Sequence, residues 1–394
     1  MTLSRLQWWI LGTAPYEHEA HRSIYLAKAW AEEDEVLYIH PTSLNDLFWA
    51  WVNPHLKQLP DDYGTWITVH TRLRHTSRIG YYLPSYVRWW RVTGSWWGNE
   101  WPFGLWLKRQ MIRQRQQNVG QILVSFCWGL SWSLRATPTD LMLYDCSDNF
   151  RAYPYENSSR MDWAERRLAR MADGVVVSSM GFKERMSSYN DRVMHIPNGV
   201  TVELLQSINP VVQAQSNKAV ARPVVIYHGA TQAWRFNWEL YVAVARQCTQ
   251  YDFVIYTDPK HVPVGVLMPD NVKILKWIPP SEVASMLAGC AAAFMPYRLS
   301  EPTLSCFPLK LFEYLAAGLP VVSTRLTEVR RFGHVVALCD DTPQEIVRLI
   351  DYGISSDSPE LRKMRRAFAE QYSWRQLAQQ YREHVLASLG DREL

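Results

Sequence analysis

The sequence lacks a long hydrophobic run, so we expect no membrane-spanning helix. Its most apolar stretch, residues 122–134, is shorter than the ~18 residues that a spanning helix needs, and it carries three serines. A signal peptide is also not expected, because the apolar residues 6–11 are too few and no small-residue cleavage site follows them. We therefore predict a cytoplasmic location.

Paired cysteines and several common catalytic motifs are absent as well. The six cysteines lie far apart with no C-x-x-C pair, which favours reduced, buried thiols over disulfides or a zinc site. The sequence has no G-x-G-x-x-G after a strand, no P-loop, no G-x-S-x-G and no H-E-x-x-H. Dehydrogenase, P-loop NTPase, serine hydrolase and zincin activities are therefore disfavoured.

Apolar residues, in contrast, are plentiful enough for large cores. Of the 394 residues, 47% are hydrophobic and 20% are charged, with no low-complexity tract, which is typical of a globular protein. A single hydrophobic core rarely keeps growing beyond about 250–300 residues, so this length predicts two domains.

The formal net charge of +4 conceals one strongly basic segment, residues 66–115. It holds nine Lys and Arg against a single acid, Glu100, and it contains seven of the nineteen tryptophans. Basic side chains interleaved with Trp and Tyr suit the headgroup region of an anionic membrane, where each cation adds up to ~1 kcal/mol. The segment is thus a candidate membrane-docking face. A lobe with large buried aromatics and a basic rim explains it equally well, and no recognised motif supports nucleic-acid binding.

Short apolar strands alternate with helix-like segments twice along the chain, which predicts an α/β protein with two doubly wound, Rossmann-like parallel-sheet domains. The predicted strands are residues 7–11, 36–39, 122–126, 141–144, 174–177, 193–196, 224–228, 252–256, 272–275, 291–295 and 321–323. The predicted helices are residues 17–33, 105–118, 157–171, 236–247, 280–288, 308–317 and 374–389, with one more starting near Thr342, where a capping-box spacing and a proline coincide.

Composition also predicts the domain boundaries. Residues 206–222 are rich in Gln, Ser, Asn and Ala with little periodicity, and we interpret them as a linker. The predicted domains are residues 1–205 and 223–371, followed by a C-terminal helical segment, residues 372–394, that can cross back to the first domain.

The most informative stretch is residues 297–324, which read YRLSEPTLSCFPLKLFEYLAAGLPVVST. Pro308 is predicted to open a helix, which places Lys310 in its first turn and Glu313 one turn later on the same face. A lysine there costs ~0.3–1 kcal/mol unless an anion is bound. Helix N–H groups can bind phosphate, and a carboxylate can accept hydrogen bonds from two ribose hydroxyls. Lys310 and Glu313 together therefore indicate a nucleoside diphosphate site. The alternative is an ion pair on the helix surface, although such pairs are more stable when Glu precedes Lys.

This stretch resembles the nucleotide-sugar motif of GT-B glycosyltransferases, in particular GT4-like enzymes of exopolysaccharide and teichuronic-type synthesis, with likeness to xanthan-type glucuronosyltransferases. The likeness rests on the string P-x-K-x-x-E-Y-x-A-x-G-x-P-V-V and covers most of residues 140–350, including VVIYHGATQAWRFNWEL and HIPNGV. It implies a GT-B fold, in which the first domain binds the acceptor and the second binds the nucleotide sugar across a cleft. It also implies a UDP- or GDP-sugar as donor and no metal.

The resemblance further implies roles for residues of the second domain. Lys310 would contact the diphosphate and Glu313 the ribose. The base would lie against Tyr297 and the backbone near Trp277, and Gly229 would allow close approach of the sugar diphosphate.

The sequence departs from the family pattern at two places. Ser305 stands where many GT4 enzymes have a second glutamate that helps to place the donor sugar, and the nearest upstream acid, Glu301, is out of register. The glycine-arginine and lysine signature that often follows the first strand of the second domain is replaced by GATQAWR, in which Arg235 is expected to add positive charge. The sugar and the stereochemical outcome therefore stay open.

The first domain is expected to supply the catalytic base. Asp145 and Asp148 follow the predicted strand 141–144, at the edge where ligands bind in open parallel sheets. An ionised aspartate there can take the proton of an attacking hydroxyl, which is general-base catalysis worth about 10²–10⁴-fold. Asp148 is the candidate, because its position resembles the catalytic base of xanthan-type enzymes, which implies inversion. A capping role explains Asp148 equally well.

The expected activity is transfer of a sugar from a nucleotide sugar to a glycan or lipid-linked acceptor near the membrane. Lys310, Arg235 and helix N–H groups would stabilise the departing diphosphate. Two alternatives stay open: a GT-B sugar-nucleotide epimerase, which needs no acceptor, and a non-catalytic glycan- or membrane-binding scaffold that kept the fold.

Overall fold

The computed structural model describes residues 5–14, 16, 21–43, 67–70, 72–81, 97–128, 134, 137–149, 158–207 and 222–390. The chain divides into two compact units. The first unit comprises residues 1–178, 182–196 and 377–394, and the second comprises residues 179–181 and 197–376. The sequence predictions also refer to residues outside the described ones: 17–20 of the first predicted helix, 66, 71 and 82–96 of the basic segment, 157 of the third predicted helix, 208–221 of the predicted linker and 391–394 of the C-terminal segment.

Within the described residues, the first unit contains an eight-stranded sheet with the order β3-β4-β2-β1-β5-β6-β7-β8. All the strand pairs are parallel except β3 with β4, which form an antiparallel edge that the sequence prediction missed. The strands are β1 (Arg5–Leu11), β2 (Glu35–Ser43), β3 (Ile67–His70), β4 (Leu73–Tyr81), β5 (Val119–Ser125), β6 (Leu141–Cys146), β7 (Gly174–Val177) and β8 (Val193–His195).

Helices cover both faces of this sheet. Those of the first half of the chain are α1 (Arg22–Trp30), α2 (Trp97–Arg113), α3 (Ser158–Met171) and α4 (Met180–Ser187). Apolar residues of α2, α3 and α4 pack with Trp9 and Leu11 of β1 in one core. Side chains alternate across a strand, so Trp8 of β1 points to the opposite face, where it stacks on Trp30 of α1. Each face of the sheet is therefore closed by its own helices.

The helix α13 (Trp374–Gly390) packs on the face of the sheet that carries Trp8 and α1. Its residues from Leu377 onward belong to the first unit. Tyr381 packs edge-on against Trp8 and Trp30, which stack with nearly parallel ring planes and ring centres 4.1 Å apart. Arg382 Nε donates to Oδ2 of the buried Asp34 at 2.8 Å. The C-terminal helix is thus part of the core of the first unit.

The second unit contains, within the described residues, a six-stranded parallel sheet with the order β11-β10-β9-β12-β13-β14. The strands are β9 (Val224–His228), β10 (Asp252–Thr257), β11 (Val272–Lys276), β12 (Ala292–Met295), β13 (Val321–Thr324) and β14 (Ala337–Cys339). The helices are α5 (Val202–Ser207), α6 (Trp238–Gln247), α7 (Pro280–Ala288), α8 (Glu301–Leu304), α9 (Lys310–Ala316), α10 (Thr327–Arg330), α11 (Pro343–Ser355) and α12 (Pro359–Glu370), with a 3₁₀ turn at Pro259–His261.

The strand order places a crevice at a defined point of each sheet. In the second unit the chain runs outward from β9 through β10 to β11 and then returns to β12 on the other side of β9. Ligands of open parallel sheets bind at the carboxyl ends of the strands where the order reverses, here between β9 and β12. In the first unit the reversal lies between β1 and β5. Two doubly wound Rossmann-like units confirm the predicted fold class.

Two features are absent from the part of the chain that the structure describes. No helix there is both long and apolar enough to cross a bilayer. No three His, Cys, Asp or Glu side chains among these residues come together in a way that could hold a metal ion.

Replacement of Asp34 by alanine tests the role of α13 in the first unit. Asp34 also accepts hydrogen bonds from the Leu6 backbone N–H and the Trp8 indole, so Asp34→Ala removes the acceptor of both donors and the carboxylate nearest to Arg382 Nε. Removing one partner of a buried ion pair costs about 3–5 kcal/mol. We expect a lower free energy of unfolding for the first unit, measured by calorimetry and urea denaturation.

A substitution at the exposed Asp191 of the same unit provides the control. We expect Asp191→Ala to stay within about 0.5 kcal/mol of the wild type. Equal losses in the two variants would mean that the Asp34–Arg382 contact does not hold α13 in place.

Candidate active site

The predicted helix at residues 308–317 forms as α9, which begins at Lys310, two residues later than Pro308 predicts. The Leu311 N–H donates to the Pro308 carbonyl at 3.1 Å, so the proline lies in the turn that leads into the helix. Glu313 follows Lys310 by one turn, as the spacing predicts. Both side chains reach the carboxyl ends of β9 and β12, where the strand order reverses.

The ammonium group of Lys310 is held by two tyrosine hydroxyls. Its Nζ donates to Tyr297 Oη at 2.9 Å and to Tyr227 Oη at 3.2 Å. It also lies 4.7 Å and 5.4 Å from the ring centres of Tyr227 and Tyr297, within the range of cation–π attraction. A lysine has three N–H donors. Among the described residues only these two accept from it, so its third donor is left for a ligand.

The two tyrosines are themselves fixed. Tyr227 Oη donates to the Ala230 carbonyl at 2.9 Å, which ties the lysine to the loop after β9. The Tyr297 backbone is bonded to Thr324 Oγ1 at the end of β13. Burial raises the pKa of Tyr297 well above its ordinary value, so its hydroxyl stays neutral. The resemblance implied a base contact for Tyr297, whereas the structure places its hydroxyl on Lys310.

Glu313 is paired with a histidine at the end of β9. His228 Nε2 lies 3.1 Å from Glu313 Oε2. Burial alone would raise the pKa of Glu313, but its contact with His228 and the nearby charge of Lys310 outweigh burial and lower the pKa below its ordinary value. The His228 backbone N–H donates to Tyr314 Oη at 3.0 Å, which links β9 to the residue after Glu313. The site thus presents an ionised carboxylate one helical turn from a cation.

Gly229 comes directly after β9 and faces the lysine. Its φ angle of +108° lies in a region that side chains rarely adopt. A Cβ at this position would lie 3.1 Å from both Cε and Nζ of Lys310. Glycine is therefore needed for the backbone turn and for the space beside the ammonium.

Arg235 and Trp277 lie at the margin of this group. The Arg235 guanidinium lies 4.3 Å from the ring centre of Trp234. Its positive charge lowers the pKa of Tyr297, although the effect of burial is larger and raises it. Trp277 follows β11, two strands from β9, and its side chain is 55% exposed. The structure therefore brings Lys310, Glu313, Tyr297 and Gly229 together, with Arg235 nearby and Trp277 apart.

The two aspartates of the first unit have different environments. Asp145 is not in a loop, as predicted, but in β6, where it is fully buried and forms two hydrogen bonds with Arg22, at 2.9 and 3.1 Å. Burial raises its pKa more than Arg22 lowers it. The expectation that Asp145 follows the strand is therefore wrong, because β6 extends to Cys146. Asp148 is partly buried after the end of β6 and accepts the Asn149 backbone N–H at 2.8 Å.

Sequence reasoning missed Tyr227 and His228. They belong to the last two positions of β9, more than eighty residues before Lys310 in the chain. The available signal was their position: in a doubly wound domain, the end of the first strand lies at the reversal point of the sheet.

Comparison with known proteins agrees with this architecture. Residues 222–353, which contain the whole sheet of the second unit, match the family described as Glycosyl transferases group 1. Over 268 residues the chain is 24% identical to TuaH of Bacillus subtilis (strain 168), which is assigned to teichuronic acid biosynthesis as a glycosyltransferase; the match covers 62% of this chain and 67% of the relative.

Solved structures share the fold along almost the whole chain. Sucrose-phosphate synthase from Thermosynechococcus elongatus has a TM-score of 0.68 at 18% identity, over 97% of this chain and 100% of the other. Anabaena HepE in complex with UDP has a TM-score of 0.67 at 14% identity, with the same coverage. Residues 222–353 are thus similar to group 1 glycosyl transferases, and the solved structures share the Rossmann-like fold of both units.

Proposed function

We propose that the protein transfers a sugar from a nucleoside diphosphate sugar, bound at Lys310 and Glu313, to an acceptor hydroxyl that Asp148 deprotonates. The observation that carries this proposal is the ammonium of Lys310, which donates to two tyrosine hydroxyls and has a third N–H donor besides. A cation held in this way suits an anion that must be bound and then stabilised as it departs.

The diphosphate is the group that fits the cation. Hydrogen bonds between an ammonium and phosphate oxygens are stronger than neutral ones, at about 1.5–3 kcal/mol each. Because Gly229 has no side chain, a phosphate can approach Lys310 and the loop after β9 closely. UDP is the nucleotide to test first, since the Anabaena relative of the same fold was solved with UDP.

Glu313 is suited to the ribose. Its lowered pKa keeps the carboxylate ionised, and an ionised carboxylate can accept hydrogen bonds from two neighbouring hydroxyls. His228 contacts Oε2, which fixes the orientation of the carboxylate and leaves Oε1 for the ligand. The base of the nucleotide would then extend toward the end of β10 and the backbone near Trp277.

The reaction then requires one proton acceptor and one charge stabiliser. The acceptor oxygen attacks the anomeric carbon while Asp148 takes its proton, and the bond between that carbon and the diphosphate oxygen breaks. The electron pair of the broken bond stays on the diphosphate, whose added charge Lys310 stabilises, with Arg235 contributing from nearby. A single displacement of this kind inverts the anomeric configuration.

We further propose a glycan or lipid-linked acceptor at the cytoplasmic face of a membrane. The basic, Trp-rich residues 66–115 suit an anionic surface. The assignment of TuaH to teichuronic acid biosynthesis supports a polymer or its lipid-linked precursor as the acceptor. All six cysteines lie among the described residues and none is paired, which fits a reducing compartment.

Replacement of Lys310 tests the donor site. Lys310→Met keeps the packing on the tyrosine rings but removes the charge, so we expect the affinity for UDP to fall by about 10- to 100-fold. Isothermal titration calorimetry with UDP measures it. Lys363→Met changes an exposed lysine of α12 in the same unit and should leave the affinity unchanged. Unaltered binding in Lys310→Met would place the diphosphate elsewhere.

The Glu313 carboxylate should also contribute to stability in a pH-dependent way. Its pKa is lower in the folded state, so the contribution is present above the unfolded-state pKa and is lost as the pH falls through the folded-state pKa. We expect Glu313→Gln to be less stable than the wild type near neutral pH, with the difference shrinking below about pH 4. Urea denaturation at a series of pH values measures this difference.

A second carboxylate variant controls for the loss of one negative charge. Glu282→Gln removes an exposed carboxylate on α7 of the same unit. A stability difference for Glu313→Gln that grows as the solution is acidified would contradict the pairing with His228 and Lys310.

Asp148→Asn tests the catalytic base. The amide cannot take a proton, so we expect kcat for transfer to fall by about 10²–10⁴-fold, while calorimetry shows UDP binding preserved. Asp191→Asn, at an exposed site of the same unit, is the control. Near-normal turnover in Asp148→Asn would remove this residue from the mechanism, and retained configuration in the product would do the same.

A further inference from the structure

We propose that the outer face of α3 docks on an anionic phospholipid bilayer. This face, the α3 stripe, consists of Trp163, Arg166, Arg167 and Arg170. The proposal deepens the proposed function, since it names the surface that would bring the enzyme to a lipid-linked acceptor. The docking itself can be measured without donor or acceptor.

The stripe follows from the spacing of residues along the helix. Its four members lie at positions i, i+3, i+4 and i+7, which share one side of an α-helix. The opposite side is buried in the core of the first unit and consists of Met161, Ala164, Glu165, Leu168 and Ala169. The helix therefore presents three guanidinium groups and an indole outward.

Aromatic rings support the guanidinium groups. Arg166 and Arg170 each lie 5.7 Å from the ring centre of Tyr189, and Arg167 lies 5.9 Å from that of Trp163. Together with Met171, the stripe lines an open surface depression of about 510 Å³. Asp162, next to Trp163 in α3, pairs with Arg166, and the stripe itself contains three arginines and no acid. Several cations are thus held around a space that can receive a phosphate headgroup.

A second helix presents cations on the same side of the unit. Residues of α2 and α3 pack in one core against one face of the sheet. Their outer surfaces therefore point away from that face together. On α2 the outer surface includes the exposed Arg109 and Arg113 beside Ile112, which is 56% exposed. Arg109, Ile112 and Arg113 belong to the part of the basic segment that the structure describes. The α3 stripe therefore enlarges the basic surface of this segment.

Exposed apolar side chains favour a bilayer over a soluble polyanion. Trp163 is 45% exposed, and together with Ile112 it offers apolar groups between the cations. Indole rings prefer the interface between headgroups and acyl chains, and each arginine near an anionic surface adds about 1 kcal/mol. A soluble polyanion would use the arginines but would gain little from the exposed indole.

Flotation with vesicles tests the α3 stripe. The whole protein is mixed with vesicles of phosphatidylcholine with or without phosphatidylglycerol, and its partition coefficient is measured. We expect binding only to the anionic vesicles, a decrease with added salt, and roughly 30-fold weaker binding for the double variant Arg167→Gln/Arg170→Gln. Trp163→Ala should also weaken binding, because the indole is lost while the charge is unchanged.

Matched variants on the second unit separate the stripe from overall charge. Arg348→Gln/Lys363→Gln removes two exposed cations and Tyr352→Ala removes an exposed ring, and both should bind vesicles as the wild type does. Equal binding by the stripe variants and the wild type would overturn the proposal. So would stripe-dependent binding to a soluble anionic polysaccharide in the absence of vesicle binding.

Calorimetry with UDP on the same preparations keeps this proposal distinct from the proposed function. Stripe variants that bind UDP normally but do not float support docking by α3. A wild-type protein that floats through the stripe but does not bind UDP would refute the donor site and leave docking intact. Loss of both properties in a stripe variant would indicate general unfolding and would count against the stripe as a separate surface.

Discussion

The charge of Lys310 is the interaction on which the proposed donor site depends. Its ammonium is bound by the phenol oxygens of Tyr227 in β9 and of Tyr297, two residues after β12. Burial keeps the Tyr297 phenol protonated, so the lysine is held without an anion of the protein on its Nζ. The nearest carboxylate, Glu313, is turned toward His228 instead. Positive charge is therefore kept available at the reversal point of the sheet.

In the first unit, buried charges fix the strand that precedes Asp148. On one face of the sheet, Asp145 is bound by Arg22 of α1. On the other face, Glu165 of α3 accepts from Tyr144 at 2.8 Å and pairs with Arg185 of α4 at 2.6 Å. Buried ion pairs of this kind add little net stability, but they specify position. The end of β6 is thus held from both sides.

The strands of both sheets were predicted correctly where a short apolar run lies between polar segments, as at 174–177 and 224–228. Such runs identify strands because the residues of a strand inside a parallel sheet are buried. The hairpin of β3 and β4 was missed, because the arginines of this segment were interpreted as part of a basic surface and not as residues of an edge strand. In the site, the Lys310–Glu313 spacing was predicted because it is local. The contacts of Lys310 with β9 depend on the register of the strands and on the return of the chain from β11 to β12 beside β9. No local sequence pattern predicts the register or this return.

The C-terminal helix has a consequence for the order in which the protein is made. Tyr381 and Arg382 complete a core whose other members, Trp8, Trp30 and Asp34, are synthesised well before them. The second unit is almost continuous in sequence and can fold as soon as it has left the ribosome. The first unit must wait, with two indole rings uncovered, until the last helix emerges. Nascent chains that stall before residue 377 should therefore be the species that chaperones retain.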